Sequence, residues 1–199
     1  MADATLKYED FVLMVLDALE TSDIPYLIGG AVAVWAWGDP RATRDLDLVI
    51  QISEDDADQL SEELEKRDMF LPAEIIRERL KDRRYEGPLN AIHGASGFKA
   101  DLYFLRQGDA FRQEAFRRRI LVDLGPGLGE VYLHAPEDLI INKLYYYSIS
   151  QQTKHLRDIA SIVQALGDKL DEEYLKKWIA AKNLQTLWKS IHRKIQSEF

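Results

Sequence analysis

The chain contains no cysteine. That excludes disulfides, thiolate zinc sites and a cysteine nucleophile, and it fits a reducing, cytoplasmic setting. Long apolar runs are missing too. The longest stretch without a charged residue, 24–38, holds Pro25, Gly29 and Gly30 and is too short to cross a bilayer, so no membrane partner is expected. The opening MADATLKYEDFVLMVLDALE is interrupted by acids and lacks a basic leader and a cleavage site, which argues against a signal peptide. Histidine is scarce. His93, His134, His155 and His192 stand far apart with no ligand spacing, and each is expected at the surface or in packing. There is no Walker-type loop and no dinucleotide-binding glycine pattern. Gly94-Ala95-Ser96-Gly97 lacks the Gly-x-Ser-x-Gly elbow of a serine hydrolase. Positive charge is short as well: the net charge of −8 disfavours bulk attraction to nucleic acid. Two local basic clusters, Lys81/Arg83/Arg84 and Arg117/Arg118/Arg119, read as solvated helix ends.

What is present is an ordinary globular balance, 46% apolar and 30% charged over 199 residues, enough for one sizeable core. Helical spacing of Leu6, Phe11, Val12, Val15, Leu16 and Leu19 predicts an amphipathic helix over 6–20. A short strand at 26–28 ends at Gly29-Gly30, and AVAVWAW then reads as a buried helix bounded by glycines, with Trp35 and Trp37 in the core. Period-two alternation over 43–52 predicts a strand with Leu46, Leu48, Ile50 and Ile52 on one face. Ser53 is expected to cap an acidic helix to about residue 68, with Asp56 as a capping-box analogue. A helix at 73–83, strands at 88–93 and 98–105, a helix at 109–118 and a hairpin around Gly125-Pro126-Gly127 follow. From Pro136 only helices are expected, at 136–149, 153–166, 171–182 and 184–197. The fold class is α+β: a mixed sheet flanked by helices over 1–134, then a helical region over 135–199.

Asp45 and Asp47 lie two apart on a predicted strand, so both point to the face opposite the leucines. Anions side by side on a sheet repel each other, and carboxylates are rarely buried unpaired. A bound cation resolves that cost, and magnesium prefers carboxylate oxygens while leaving positions for water and phosphates. Asp101 supplies a third carboxylate on a strand whose other face is apolar. If the two strands pair, the three acids converge in a set suited to two metal ions, with Asp101 as general base or shared ligand. Gly29-Gly30, at a strand-to-helix turn just upstream, lets a phosphate approach backbone amides. Lys99, on the same face as Asp101, either neutralises the acids or contacts phosphate.

These residues resemble the nucleotidyltransferase superfamily typified by DNA polymerase beta. The likeness rests on LIGGAVAVWAWGDPRATRDLDLVI, residues 27–50: an apolar strand, Gly29-Gly30, a helix, Asp45-x-Asp47, and a later Asp101. Residues 135–163, APEDLIINKLYYYSISQQTKHLRDIASIV, resemble the helical half of a small bacterial branch that includes abortive-infection-type toxins, with Lys143, Arg157 and Asp158 at its typical positions. The likeness spans about 27–163; 54–97 and the helices from 171 match no pattern. It implies transfer of a nucleoside monophosphate from a nucleoside triphosphate such as ATP to an RNA, protein or small-molecule hydroxyl, with magnesium on Asp45, Asp47 and Asp101. It further implies triphosphate contacts from Gly29, Gly30 and Lys143, with Arg41 a candidate for the same role, and an antitoxin as a conceivable partner. An inactive nucleotide-binding protein of the same fold is the alternative.

Other residues divide. Arg41 is either a phosphate ligand, through its planar fork, or a partner of Asp39 or Asp45. Arg44 is expected on an aspartate or solvent, and Thr43 at the strand edge. Arg157-Asp158 is expected to bridge the helical half to the sheet. Of Tyr145, Tyr146 and Tyr147, at most one or two can line a base pocket.

Overall fold

A computed structural model of the chain describes residues 6–82, 84 and 87–198. Arg83 of the first basic cluster, and the first five residues of the leader reading, lie outside them. Helix α1 (Tyr8–Thr21) buries Phe11, Val12, Val15, Leu16 and Leu19, the face its spacing predicts. Strand β1 (Tyr26–Ile28) is wholly buried and runs through Gly29 into α2 (Gly30–Trp37). Strand β2 (Asp45–Ile50) follows.

Helix α3 (Ala57–Glu65) begins later than expected. Ser53 does not cap it. Instead the Asp56 carboxylate accepts hydrogen bonds from the Ser53 amide and hydroxyl, closing a separate turn before the helix. A two-residue strand β3 (Met69–Phe70), too short to show any periodicity, precedes α4 (Ala73–Lys81). Strands β4 (Leu89–His93) and β5 (Lys99–Phe104), helix α5 (Ala110–Arg117) and the hairpin of β6 (Ile120–Asp123) and β7 (Glu130–Leu133) match the expected order. Helices α6 (Pro136–Ser150), α7 (Thr153–Leu166), α8 (Glu172–Ala181) and α9 (Gln185–Glu198) complete the described chain.

The strands form one sheet in the order β3-β4-β5-β2-β1-β7-β6. β2 pairs with β5, and β1 with β7, in parallel; the other neighbours are antiparallel. Leu46, Leu48 and Ile50 of β2 and Ala100 and Leu102 of β5 are buried on one face. Besides a second, smaller cluster of Leu27, Val49 and Phe116, there is a main cluster of buried side chains that runs from Phe11 of α1 to Ile195 of α9. Trp35 and Trp37 sit at its border, half-buried, because each indole N–H must reach an acceptor: the carbonyl of Arg41 at 3.2 Å and that of His134 at 2.8 Å.

The second basic cluster departs from the expected solvated end. Arg117 is exposed and pairs with Glu114. Arg118, however, lies 3.5 Å over the Tyr174 ring and 2.8 Å from Glu137, tying α5 to α6 and α8. Arg119 stacks on Phe116 and Tyr132.

Candidate active site

The parallel register of β2 and β5 sets Asp45 abreast of Lys99 and Asp47 abreast of Asp101. Because the alternate residues fill the core, all four side chains share the opposite face. Like charges directly across a sheet are destabilising, and the structure shows the consequence. Burial, then the neighbouring Asp101, push the Asp47 carboxyl up to about 6, with Lys143 and Lys99 offsetting part of the rise.

Asp101 is better provided for. Its oxygens accept from Lys99 Nζ at 2.8 and 2.9 Å, and from Asn90 Nδ2 at 2.5 Å on the other neighbouring strand. Lys99 also lies 3.5 Å from Asp45 Oδ1, so of its two expected roles it takes that of neutralising the acids. The Asp45 backbone is fixed from outside: its carbonyl accepts from Tyr8 Oη at 2.8 Å and Thr43 Oγ1 at 3.0 Å, the strand-edge role expected of Thr43.

The glycine turn is bound to the same acids. The Gly29 amide donates to the Asp47 carbonyl at 2.8 Å. Gly30 has φ +59°, and a Cβ there would stand 1.8 Å from Asp47 Oδ2, so neither the backbone nor the carboxylate tolerates a side chain.

Facing this floor is a helical wall. Lys143 of α6 is buried and donates to Asp158 Oδ2 of α7 at 2.5 Å. Arg41, in the loop before β2, forks onto the same carboxylate: Nε donates to Oδ1 at 3.0 Å and a terminal nitrogen to Oδ2 at 3.3 Å. Arg41 therefore pairs with neither Asp39 nor Asp45. Asp158, only 2% exposed, is pushed up by burial, but the Arg41 fork and the Lys143 ammonium outweigh this and hold it below the usual carboxylate range. Asp158 alone does the bridging expected of the Arg157-Asp158 pair, since Arg157 is exposed. Arg44 meets no aspartate; it donates to the Ser96 carbonyl at 3.1 Å and lies over the Phe98 ring.

Floor and wall enclose a cleft of about 330 Å³, and Gly29, Gly30, Arg41, Asp45, Asp47, Asp101 and Lys143 all line it. So do Tyr103, Arg112, His134, Asn142, Tyr146 and His155, which the sequence reading left out of the site or, for Tyr146, undecided. Tyr103 had a readable signal, two residues beyond Asp101 on the same strand face. His134 had none. It is buried with its Nδ1 unpaired and a pKa pulled down to about 3 by burial, hence a neutral ring. Tyr146 stacks on His155 with centroids 6.0 Å apart, and burial pulls His155 down to about 4.

Among the described residues no three His, Cys, Asp or Glu side chains stand as a group that could hold a metal ion. The donor chemistry nevertheless fits a hard cation: three carboxylates share one cleft, and two of them stand abreast with Asp47 resisting ionisation. Lys99 offsets the charge of Asp101 and Asp45.

No protein-family model matches the chain, and no curated protein matches it in sequence. Solved structures match in fold. The solution structure of the antibiotic-resistance factor ANT(2'')-Ia gives a TM-score of 0.61 at 16% identity, over 94% of this chain and 96% of that one. The crystal structure of ANT(2'')-Ia in complex with adenylyl-2''-tobramycin gives 0.58 at 17% identity, over 89% and 98%. An antigenic nucleotidyltransferase-like protein from Paracoccidioides brasiliensis gives 0.51 at 21% identity, over 96% and 93%. The chain thus has the fold of these nucleotidyltransferase-type structures, a mixed sheet flanked by helices.

Proposed function

We propose that this chain is a magnesium-dependent nucleotidyltransferase that moves a nucleoside monophosphate from a nucleoside triphosphate to an acceptor hydroxyl. One observation carries the reading: Asp47 stands abreast of Asp101 on the floor of a cleft that also holds Gly29-Gly30 and the buried Lys143. A sheet gains nothing from two abutting acids by themselves; a cation-dependent phosphate chemistry does.

In this reading Asp45 and Asp47, with Asp101 as the third carboxylate beside them, are the residues that would hold magnesium. When bound, magnesium neutralises phosphate oxygens as a Lewis acid. The chain itself contributes position and charge. The Gly29-Gly30 turn admits the phosphates to the start of α2. Lys143 and Arg41, held in place by Asp158, stabilise charge growing on the transferred group. The acceptor oxygen bonds to the α-phosphorus and its proton passes to the one acceptor position of Asp101 that Lys99 and Asn90 leave open. The bond from that phosphorus to the bridging oxygen breaks, and pyrophosphate leaves with the electron pair. Tyr146, stacked on His155, offers an aromatic surface to the base.

The acceptor is an RNA, a protein or a small molecule. The ANT(2'')-Ia complex with adenylyl-2''-tobramycin supports a small-molecule acceptor here, while the likeness of 135–163 to abortive-infection-type toxins supports an RNA or protein acceptor and an antitoxin partner. A catalytically inactive nucleotide-binding protein is the second reading, favoured by Lys99 seated on Asp101. Incubation with each labelled triphosphate, magnesium, and RNA, protein extract or small hydroxyl compounds separates them. The parent is expected to transfer label, and the Asp45→Ala/Asp47→Ala variant to lose at least ~100-fold, the scale of removed charge stabilisation in a site. Equal labelling by both would remove these residues from the chemistry.

A further inference from the structure

We infer that Lys99 takes the place of one of two divalent ions, so that the acidic floor binds a single ion, on Asp45 and Asp47, while Asp101 stays tied to the lysine. This rests on the nucleotidyltransferase reading above and narrows it, since a three-carboxylate floor alone suggests two ions.

The argument is one of free oxygen lone pairs. A carboxylate offers about four acceptor positions. Asp101 accepts from the Lys99 ammonium at both oxygens, 2.8 and 2.9 Å, and from Asn90 Nδ2 at 2.5 Å. Both donors are built into strands. Lys99 is two residues before Asp101 on β5, and Asn90 is its register partner on β4. The Asp101 side chain is 11% exposed, so little of it remains open to an ion. For a metal to take Asp101, the lysine would have to give up both oxygens and its 3.5 Å approach to Asp45. An ammonium between two carboxylates already offsets their repulsion, which is what a second ion would do there.

Asp47 and Asp45 differ. The Asp47 carboxylate accepts no side-chain hydrogen bond among the described residues, and Asp45 is half exposed, with only the distant edge of the lysine. Their oxygens are the ones with capacity to spare. They lie two apart on one strand face, beside the glycine turn. Lys99 is thus a positioning residue: it fixes the orientation of Asp101 and sets how many ions the floor takes.

The test counts ions rather than turnover. Free manganese is followed by electron paramagnetic resonance during titration of the full chain saturated with a non-hydrolysable triphosphate analogue. The parent and Lys99→Arg are expected to bind one ion per chain. Lys99→Met, which vacates Asp101 and leaves its charge unpaired, is expected to bind two. Two ions in the parent would overturn the inference and leave the nucleotidyltransferase reading standing. One ion in both the parent and Lys99→Met would also overturn it, because something other than the lysine would then limit the count. No ion in the parent would overturn both. If Lys99→Met does not fold, the parent count decides alone.

Discussion

The floor and the wall of the cleft treat charge in opposite ways. On the floor, the Lys99 ammonium bonds Asp101 and stands 3.5 Å from Asp45, while Asp47 between them is driven up to about 6. On the wall, one buried carboxylate, Asp158, serves two cations, Lys143 and Arg41. Strands produce the first arrangement because alternation and register force side chains abreast whether or not they attract. Helices and a loop produce the second: partners 15 and 117 residues apart meet because burying any of them singly is costly. The floor is therefore left wanting a cation, whereas the wall holds one cation more than its carboxylate balances, fixed in place beside the cleft.

The largest effect expected from this contrast is on the wall. Asp158→Ala leaves Lys143 buried without its partner and should cost about 3–5 kcal/mol, which for a domain of this size lowers the melting temperature by about 10 °C. A thermal melt within 2 °C of the parent would mean that the wall is not built as described. Next comes the floor. Asp45→Ala/Asp47→Ala removes the ~100-fold or more in transfer stated above, yet should leave the melting temperature unchanged or higher, because it relieves repulsion. Together the two substitutions separate charges on which the fold depends from charges that only transfer needs.

Gly30→Ala should cost about 1–3 kcal/mol in chemical denaturation, from its φ of +59° and the displaced Asp47 carboxylate, and it should abolish transfer as well. Retained transfer would detach the turn from the acids. The smallest effect belongs to Asp138, on the same helix as Lys143. It is fully buried, Tyr174 Oη donates to it at 2.6 Å, and Arg118 stands 3.6 Å away. Burial pushes it up to about 6, against the pull of Tyr174 and Arg118 and with Glu137 and Glu114 adding to the rise. A raised folded-state pKa stabilises the protein below the unfolded value and loses that contribution as pH climbs through about 6. Asp138→Asn should accordingly stabilise by about 1–2 kcal/mol at pH 7.5 and not at pH 4. A gain independent of pH would argue against the assignment.

How much of this was readable depends on the kind of signal. Alternation placed Asp45 and Asp47 on one face, and Asp101 opposite the apolar face of its own strand, without a structure, since period two leaves no choice. It did not give the register, because Asp47 meets Asp101 only through parallel pairing of strands far apart in sequence. Lys143 came through family likeness, not periodicity: α6 buries Glu137, Asp138 and Lys143 among its apolar residues, so no amphipathic stripe marks them. Arg41 finding Asp158 was invisible, as was the entry of His134 and His155 into the cleft, which rests on how β7 and α7 close over it. β3 left no trace in two residues, and Arg118 looked like a surface charge until α8 laid Tyr174 against it.

The claim under all of this is that the cleft takes a triphosphate through a cation on the floor acids. Equilibrium binding of a non-hydrolysable triphosphate analogue, with magnesium and then with excess chelator, tests it most directly. The account expects binding with magnesium, weakened at least about tenfold by the chelator and by Asp47→Asn. Equal affinity under all three conditions would contradict it.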